Sequence, residues 1–317
     1  IGFLVGGMFD VCCFRQIRVR LSARGWAIAG LLLCALIWAG NALVARATAG
    51  LLPPIGLSFW RWTTALLLIL PFTLRGLWRQ RAVLLLHWKQ IATLSALSIS
   101  SYNTLLYLAA QSTTAINITL VNTGLPVAAF IWSVLLLRQW PSRQTLAGTL
   151  LSFTGLLVIL STGQLGKLAH LVFNPGDLVM LAAVMTWGLY SVLLRRWMIP
   201  VPGVTLLTAM LLCGVPLLLP VYLWEYSQTG PMPLTLVTLG AVSYTALLAS
   251  LFAYLAWNNG VRILGPATAS LFSYLMPVFT ALLGVLLLGE HLHWYHLLGG
   301  TLTFSGLLLA TRRASKV

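Results

Sequence analysis

Apolar runs long enough to cross a lipid bilayer recur along the chain, separated by short polar, Pro or Gly breaks. The first five are Trp26 to Ala45, Ile55 to Leu74, Trp88 to Ala110, Ile116 to Leu137 and Gln144 to Ser161. A polar link, Thr162 to Gly176, precedes Asp177 to Leu194, Gly203 to Trp224, Leu234 to Asn258, Pro266 to Leu288 and Trp294 to Thr311. A spanning helix needs about 20 apolar residues. Pro53-Pro54 and Pro141-Ser142 fall in the breaks, where helices start and stop. The pattern predicts an all-α polytopic membrane protein with ten transmembrane helices.

Composition agrees. Of 317 residues, 59% are hydrophobic and 7% charged, against roughly 25% charged in a soluble domain. A water-soluble fold cannot hide that much apolar surface, which excludes an ordinary soluble enzyme, a disordered chain and a collagen-like one.

Charge then sets the orientation. With 19 Lys and Arg against 4 Asp and Glu, the net charge is +15. Basic residues gather in alternate breaks: Arg15, Arg18, Arg20 and Arg24; Arg75, Arg79, Arg81 and Lys89; Arg138 and Arg143; Arg195 and Arg196; Arg262; and Arg312, Arg313 and Lys316. These sixteen of the 19 share one side if the helix count is even. Only Arg46 and Lys167 fall opposite, and Arg61 lies inside the second span. Because basic loops stay cytoplasmic, both termini are expected inside a bacterial-type inner membrane. This placement reads as topology, not as a nucleic-acid surface. The chain opens on Ile1, and residues 1–25 are expected to be a tail whose apolar beginning, 1–14, has three readings: a fragment, an alternative start with Met8 as one candidate, or a start-site artefact.

The chain also repeats itself. A shift of 151 residues puts Pro126 on Pro277, Gly148 on Gly299, and Phe153-Thr154-Gly155-Leu156-Leu157 on Phe304-Ser305-Gly306-Leu307-Leu308. Further upstream the offset changes, but Trp38 and Trp187 each sit in the first span of their half. Repeats of five spans must face opposite ways. Inverted repeats are a plan of secondary transporters, with the site at the repeat interface near the bilayer midplane. The expected organisation is a repeat over 26–162, an external link over 163–176, a second repeat over 177–311 and a cytoplasmic tail over 312–317.

From about Trp26 to Thr311 the chain resembles the EamA-type branch of the drug/metabolite transporter superfamily. The carriers are Leu36-Ile37-Trp38-Ala39-Gly40-Asn41, Phe59-Trp60-Arg61-Trp62, Ser270 to Val278, Leu287-Leu288-Gly289-Glu290 and Gly299 to Gly306. The first half departs from the pattern, with Arg138-Gln139 where the second has Gly289-Glu290. The resemblance implies two inverted five-helix repeats, a central cavity and transport of small metabolites, commonly outward.

Few residues are chemically equipped for a site. A charge within hydrocarbon marks function by default, and Arg61 has two readings: a cation snorkelling to the outer headgroups, or a planar anion receptor facing a cavity. The expected substrate contacts are Asn41, Arg61, Asn103, Tyr107, Trp187 and Tyr254. Pro126 and Pro277, placed mid-span, are expected to bend their helices and to serve the conformational change. Asp177, Glu225 and Glu290 sit at span ends; a structural role is favoured, and proton coupling is carried as the alternative. Cys12, Cys13, Cys34 and Cys213 lack metal spacing, and His291, His293 and His296 lack a full ligand set. There is no Walker loop. No catalytic group, metal or cofactor is expected. The function expected is that of a secondary carrier in the bilayer, exporting a small metabolite such as an amino acid or related carboxylate. The alternatives are a polytopic enzyme acting on lipid or lipid-linked sugar, and a structural membrane subunit.

Overall fold

The computed structural model describes residues 22–48, 50–110, 112–113, 118, 121–164, 166, 175–288 and 293–311. Asn117, Lys167, Glu290, His291, residues 1–21, residues 312–317 and most of the 163–176 link lie outside the described residues, as do the side chains of Arg46 and Tyr107, and the last residues of the expected 1–25 tail are helical from Ala23.

The described chain is helical, with no strand. Helix α1 runs Ala23–Thr48 and α2 runs Pro54–Arg79. Pro53 precedes α2 and Pro54 opens it, where a missing N–H costs nothing. A six-residue helix, Arg81–Leu86, leads to α3, residues 88–110. Helix α4 covers 125–137, α5 is Arg143–Leu160, α6 is Pro175–Trp197 and α7 is Gly203–Thr229. Helix α8, Leu236–Leu264, ends at Gly265 with φ 87°, and Pro266 starts α9, residues 266–288. Helix α10 is Trp294–Thr311. Hydroxyls cap two starts: Thr145 N donates to Ser142 Oγ at 3.0 Å, and Thr238 N to Thr235 Oγ1 at 3.2 Å. By length and composition seven of these helices, α1, α2 and α5 to α9, can cross a membrane. The chain is therefore an integral membrane protein.

Helix α1 packs on α8 and α9, α6 on α3 and α4, and α2 on α7. Along the α2–α7 seam the Phe59 and Tyr222 rings stack at 4.3 Å. Helices α5 and α10 form the closest pair. A side chain on Gly148 would strike Ala310 at 2.7 Å, and one on Gly155 would strike Leu302 and Thr303 at 2.8 Å. Ser152 Oγ donates to the Thr303 carbonyl at 3.0 Å; Thr303 Oγ1 donates to the Gly299 carbonyl of its own helix at 2.8 Å and lies 3.5 Å from the Ser152 carbonyl. Rising numbers on α5 meet falling numbers on α10, so the two run antiparallel. The shift of 151 exchanges Ser152 with Thr303 and Gly155 with Gly306. A local two-fold therefore passes between Ser152 and Thr303. Small residues allow this approach, which lipid alone would not drive.

Pro126 differs from its mid-span expectation. It is the second residue of Leu125–Trp132, following the turn at Thr123 and Gly124, so it starts a helix instead of interrupting one. Pro277 is the third residue of Leu275–Leu288, just after a 3₁₀ turn over Leu271–Tyr274.

Candidate functional site

Helices α3 and α8 each widen into a π-helical stretch, Ala96–Ser101 and Thr245–Phe252. The shift of 151 lays 96–101 on 247–252. Such widened turns re-aim side chains and disturb the carbonyl ladder, and they gather at functional sites. Here both supply carbonyls to aromatic partners. Tyr254 OH donates to the Ser98 carbonyl at 3.1 Å, and Trp38 Nε1 to the Ala249 carbonyl at 3.1 Å. Residues 98 and 249 are themselves 151 apart.

These bonds hold an aromatic cluster from both halves of the chain. Trp187 sits at its centre, with ring centroids 4.9 Å from Tyr102, 5.2 Å from Tyr190, 5.4 Å from Trp38 and Tyr254, and 5.6 Å from Trp257. Trp62 meets Tyr254 edge-on at 4.9 Å. These are ordinary favourable arrangements for aromatic quadrupoles. Next to them lies Arg61, only 3% exposed. Its Nε donates to Ser250 Oγ in the α8 π-stretch at 2.9 Å, and its guanidinium lies 4.7 Å from the Trp62 ring centroid. A guanidinium so buried and bonded to Ser250 does not snorkel to the outer headgroups.

The polar groups are unevenly satisfied. Tyr190 OH donates to Asn258 Oδ1 at 2.6 Å, and Trp257 Nε1 to Ser191 Oγ at 3.2 Å. Within this cluster, three buried donors among the described residues have no hydrogen-bond partner: Trp62 Nε1, Trp187 Nε1 and Asn258 Nδ2. A buried polar group left unpaired costs about 1–3 kcal/mol. All three groups can only donate. These donors and the arginine belong to one buried aromatic cluster, whose N–H groups could serve an acceptor-rich anion and whose π faces an apolar or cationic moiety. In this conformation the site is shut. The crevice that Trp38 and Trp257 share with Phe272 and Met276 is too narrow for a water-sized sphere.

Of the sequence-predicted contacts, Arg61, Trp187 and Tyr254 come together. Asn103 joins at the edge, its Nδ2 3.5 Å from the Ser98 carbonyl. Asn41 is half-buried in α1, one turn beyond Trp38, and the described contacts do not tie it to the cluster. Sequence reasoning passed over Trp38, Trp62, Ser98 and Ser250 as site residues. The matched placement of Trp38 and Trp187 in the two halves was the available signal.

The described acids are engaged elsewhere. Glu225 of α7 caps α2: Ile55 N donates to Oε1 at 3.0 Å and Gly56 N to Oε2 at 2.5 Å. Asp177 accepts from Thr113 Oγ1 at 2.5 Å. Among the described residues no cluster of His, Cys, Asp and Glu could hold a metal.

The sequence profile of the EamA-like transporter family matches residues 25–161 and again 174–312. The chain belongs to the EamA-like transporter family. An uncharacterised transporter of Archaeoglobus fulgidus is 30% identical over 285 residues, 89% of this chain and 96% of the relative. The aromatic amino acid exporter YddG of Salmonella typhimurium is 26% identical over 216 residues, 63% of this chain and 69% of the relative. One crystal structure, 21% identical, superposes with a TM-score of 0.73 over 93% of this chain and 100% of its own, and shares the fold. The two profile matches show that each half of this chain carries one copy of the family's unit, and the aromatic cluster draws on both: Trp38, Trp62 and Tyr102 from the first, Trp187, Tyr190, Tyr254 and Trp257 from the second.

Proposed function

We propose that this EamA protein is a secondary transporter that exports a small amphipathic metabolite, an amino acid or related carboxylate, by alternating access. The observation that carries the reading is the buried Arg61, set against the Trp62 ring and Ser250 at an aromatic cluster in which Trp62, Trp187 and Asn258 each keep a buried N–H without an acceptor. A carboxylate offers about four lone-pair sites and fits a guanidinium bidentately. The rings of Trp38, Trp187 and Tyr254 receive the remainder of the molecule. The Salmonella relative is named an aromatic amino acid exporter, which agrees with that division.

In this reading the chain forms ten spans as two inverted five-helix repeats, in a bacterial-type inner membrane with both termini cytoplasmic. The antiparallel α5–α10 pair with its local two-fold supports the inverted plan. Opening the shut cluster to either side requires the repeats to move, and Pro126 and Pro277, at helix starts, are the positions assigned to that movement. Asn41 and Tyr107 are assigned to the cavity of an opened state.

The test is efflux from cells or vesicles with Arg61→Lys and Arg61→Ala. Lysine keeps the charge but loses the planar fork. Export of carboxylates should fall in both variants, further in Arg61→Ala, while uncharged compounds are moved as by the unmodified protein. Equal loss for both classes would remove Arg61 from substrate recognition.

A further inference from the structure

Helix α2 has 26 residues, about 39 Å of helix, against about 30 Å of hydrocarbon. Counted from Pro54, the apolar layer ends near Thr73. Residues 74–79 therefore project into the headgroup layer. There Leu74 and Trp78 form one row and Arg75 and Arg79 the adjacent row, each four residues apart. These four line an open groove on the protein surface. Trp78 is 69% exposed.

Beyond Gln80 the chain turns into Arg81–Leu86, which buries none of its residues. Arg81 Nη1 returns to the Trp78 carbonyl at 3.0 Å, and its guanidinium lies 4.4 Å from the Trp78 ring centroid. Lys89 stands over Trp88 at 5.7 Å. Four cations thus alternate with exposed tryptophan and leucine. No Asp or Glu occurs between Asp10 and Asp177, so none of this half's own residues after the tail offers an anion. The α2 dipole accounts only for Arg79, in the last turn. The corresponding elbow of the second repeat, between α7 and α8, contains no Lys or Arg from Glu225 to Thr235. The basic, tryptophan-lined groove therefore belongs to one face of the molecule.

We propose that this elbow is a binding site for an anionic glycerophospholipid. Its phosphate is held by Arg75 and Arg79 with Arg81 adjoining, and an acyl chain lies along Leu74 and Trp78. Charge complementarity and the amphipathic depth of the groove select a lipid over a soluble anion: a free phosphate would leave the apolar row uncovered.

The experiment places the full chain in nanodiscs of equal phosphatidylglycerol and phosphatidylcholine, extracts it gently and quantifies retained lipid by mass spectrometry. The expected result is enrichment of phosphatidylglycerol by at least about fivefold, the preference that a single basic residue at the surface contributes. Arg75→Gln with Arg79→Gln should bring the ratio close to one. Arg81→Gln, a milder change in case the pair disturbs folding, should reduce it by a few fold. Arg138→Gln with Arg143→Gln, the same charge change at another exposed site, should leave it unchanged. No enrichment in the unmodified protein, equal loss in the Arg138/Arg143 control, or displacement of the lipid by millimolar inorganic phosphate would each overturn the proposal. None of these outcomes touches the reading of Arg61.

Discussion

Glu225 separates a structural acid from a proton carrier. Its carboxylate, buried at the end of α7, accepts from the Ile55 and Gly56 N–H groups at the start of α2. Removal leaves two N–H groups without acceptors and takes an anion from a helix N-terminus. Hydrogen bonds to charged groups are worth about 1.5–3 kcal/mol each, and the dipole adds up to about 1 kcal/mol. Water at the helix end recovers part of this, so Glu225→Ala should destabilise by about 3 kcal/mol. Glu225→Gln keeps one acceptor oxygen and should cost about 1–2 kcal/mol, between the two states. Reversible unfolding in mixed micelles measures both. Transport by folded Glu225→Gln should keep the rate and the response to an imposed pH gradient of the unmodified protein. Two variants within about 0.5 kcal/mol of the parent would refute the capping argument. A stable Glu225→Gln that no longer responds to the pH gradient would make this residue a proton carrier instead.

The α5–α10 crossing gives a second prediction. Gly155→Ala would place its Cβ 2.8 Å from Leu302 and Thr303, and over-packing of this kind costs about 1–3 kcal/mol; thermal melting should show the loss, and Gly166→Ala, with nothing within 4 Å, should not. Topology gives a third: reporter fusions at Gly166 and Val317 should report opposite sides of the membrane, and a common side would break the five-plus-five inverted plan.

Much of the fold was legible because lipid demands long apolar helices. The bounds of α9 and α10 match the apolar runs read from the sequence, and α1, α5 and α6 differ by a few residues at each end. Helix α2 was underestimated because Arg75 and Arg79 end the apolar run without ending the helix. The π-helical stretches were not legible. Nothing in Ala-Leu-Ser-Ile-Ser-Ser distinguishes a widened turn from a regular one; the difference arises when the Ser98 carbonyl meets Tyr254 from the other half. The site was legible in part for the same reason. Arg61, Trp187 and Tyr254 stand out alone, as a charge or a large ring within an apolar run. Ser250 gains meaning only beside Arg61, and Trp62 only beside Tyr254. The bond between Glu225 and the start of α2 joins residues 170 apart, beyond any local signal.

The central claim is that a carboxylate on the substrate is what the buried N–H groups of the cluster recognise. Proteoliposome counterflow with the unmodified protein, comparing phenylalanine with phenylalanine amide, tests it most directly. The two share the ring and an α-amine, and the amide lacks the anion; a buffer acidic enough to keep both amines protonated makes the comparison one of the carboxylate. A charge-assisted hydrogen bond of about 1.5–3 kcal/mol corresponds to exchange roughly tenfold to a hundredfold slower for the amide. Saturable exchange of phenylalanine with the amide slower by that factor is the predicted result; equal exchange of the two would contradict it.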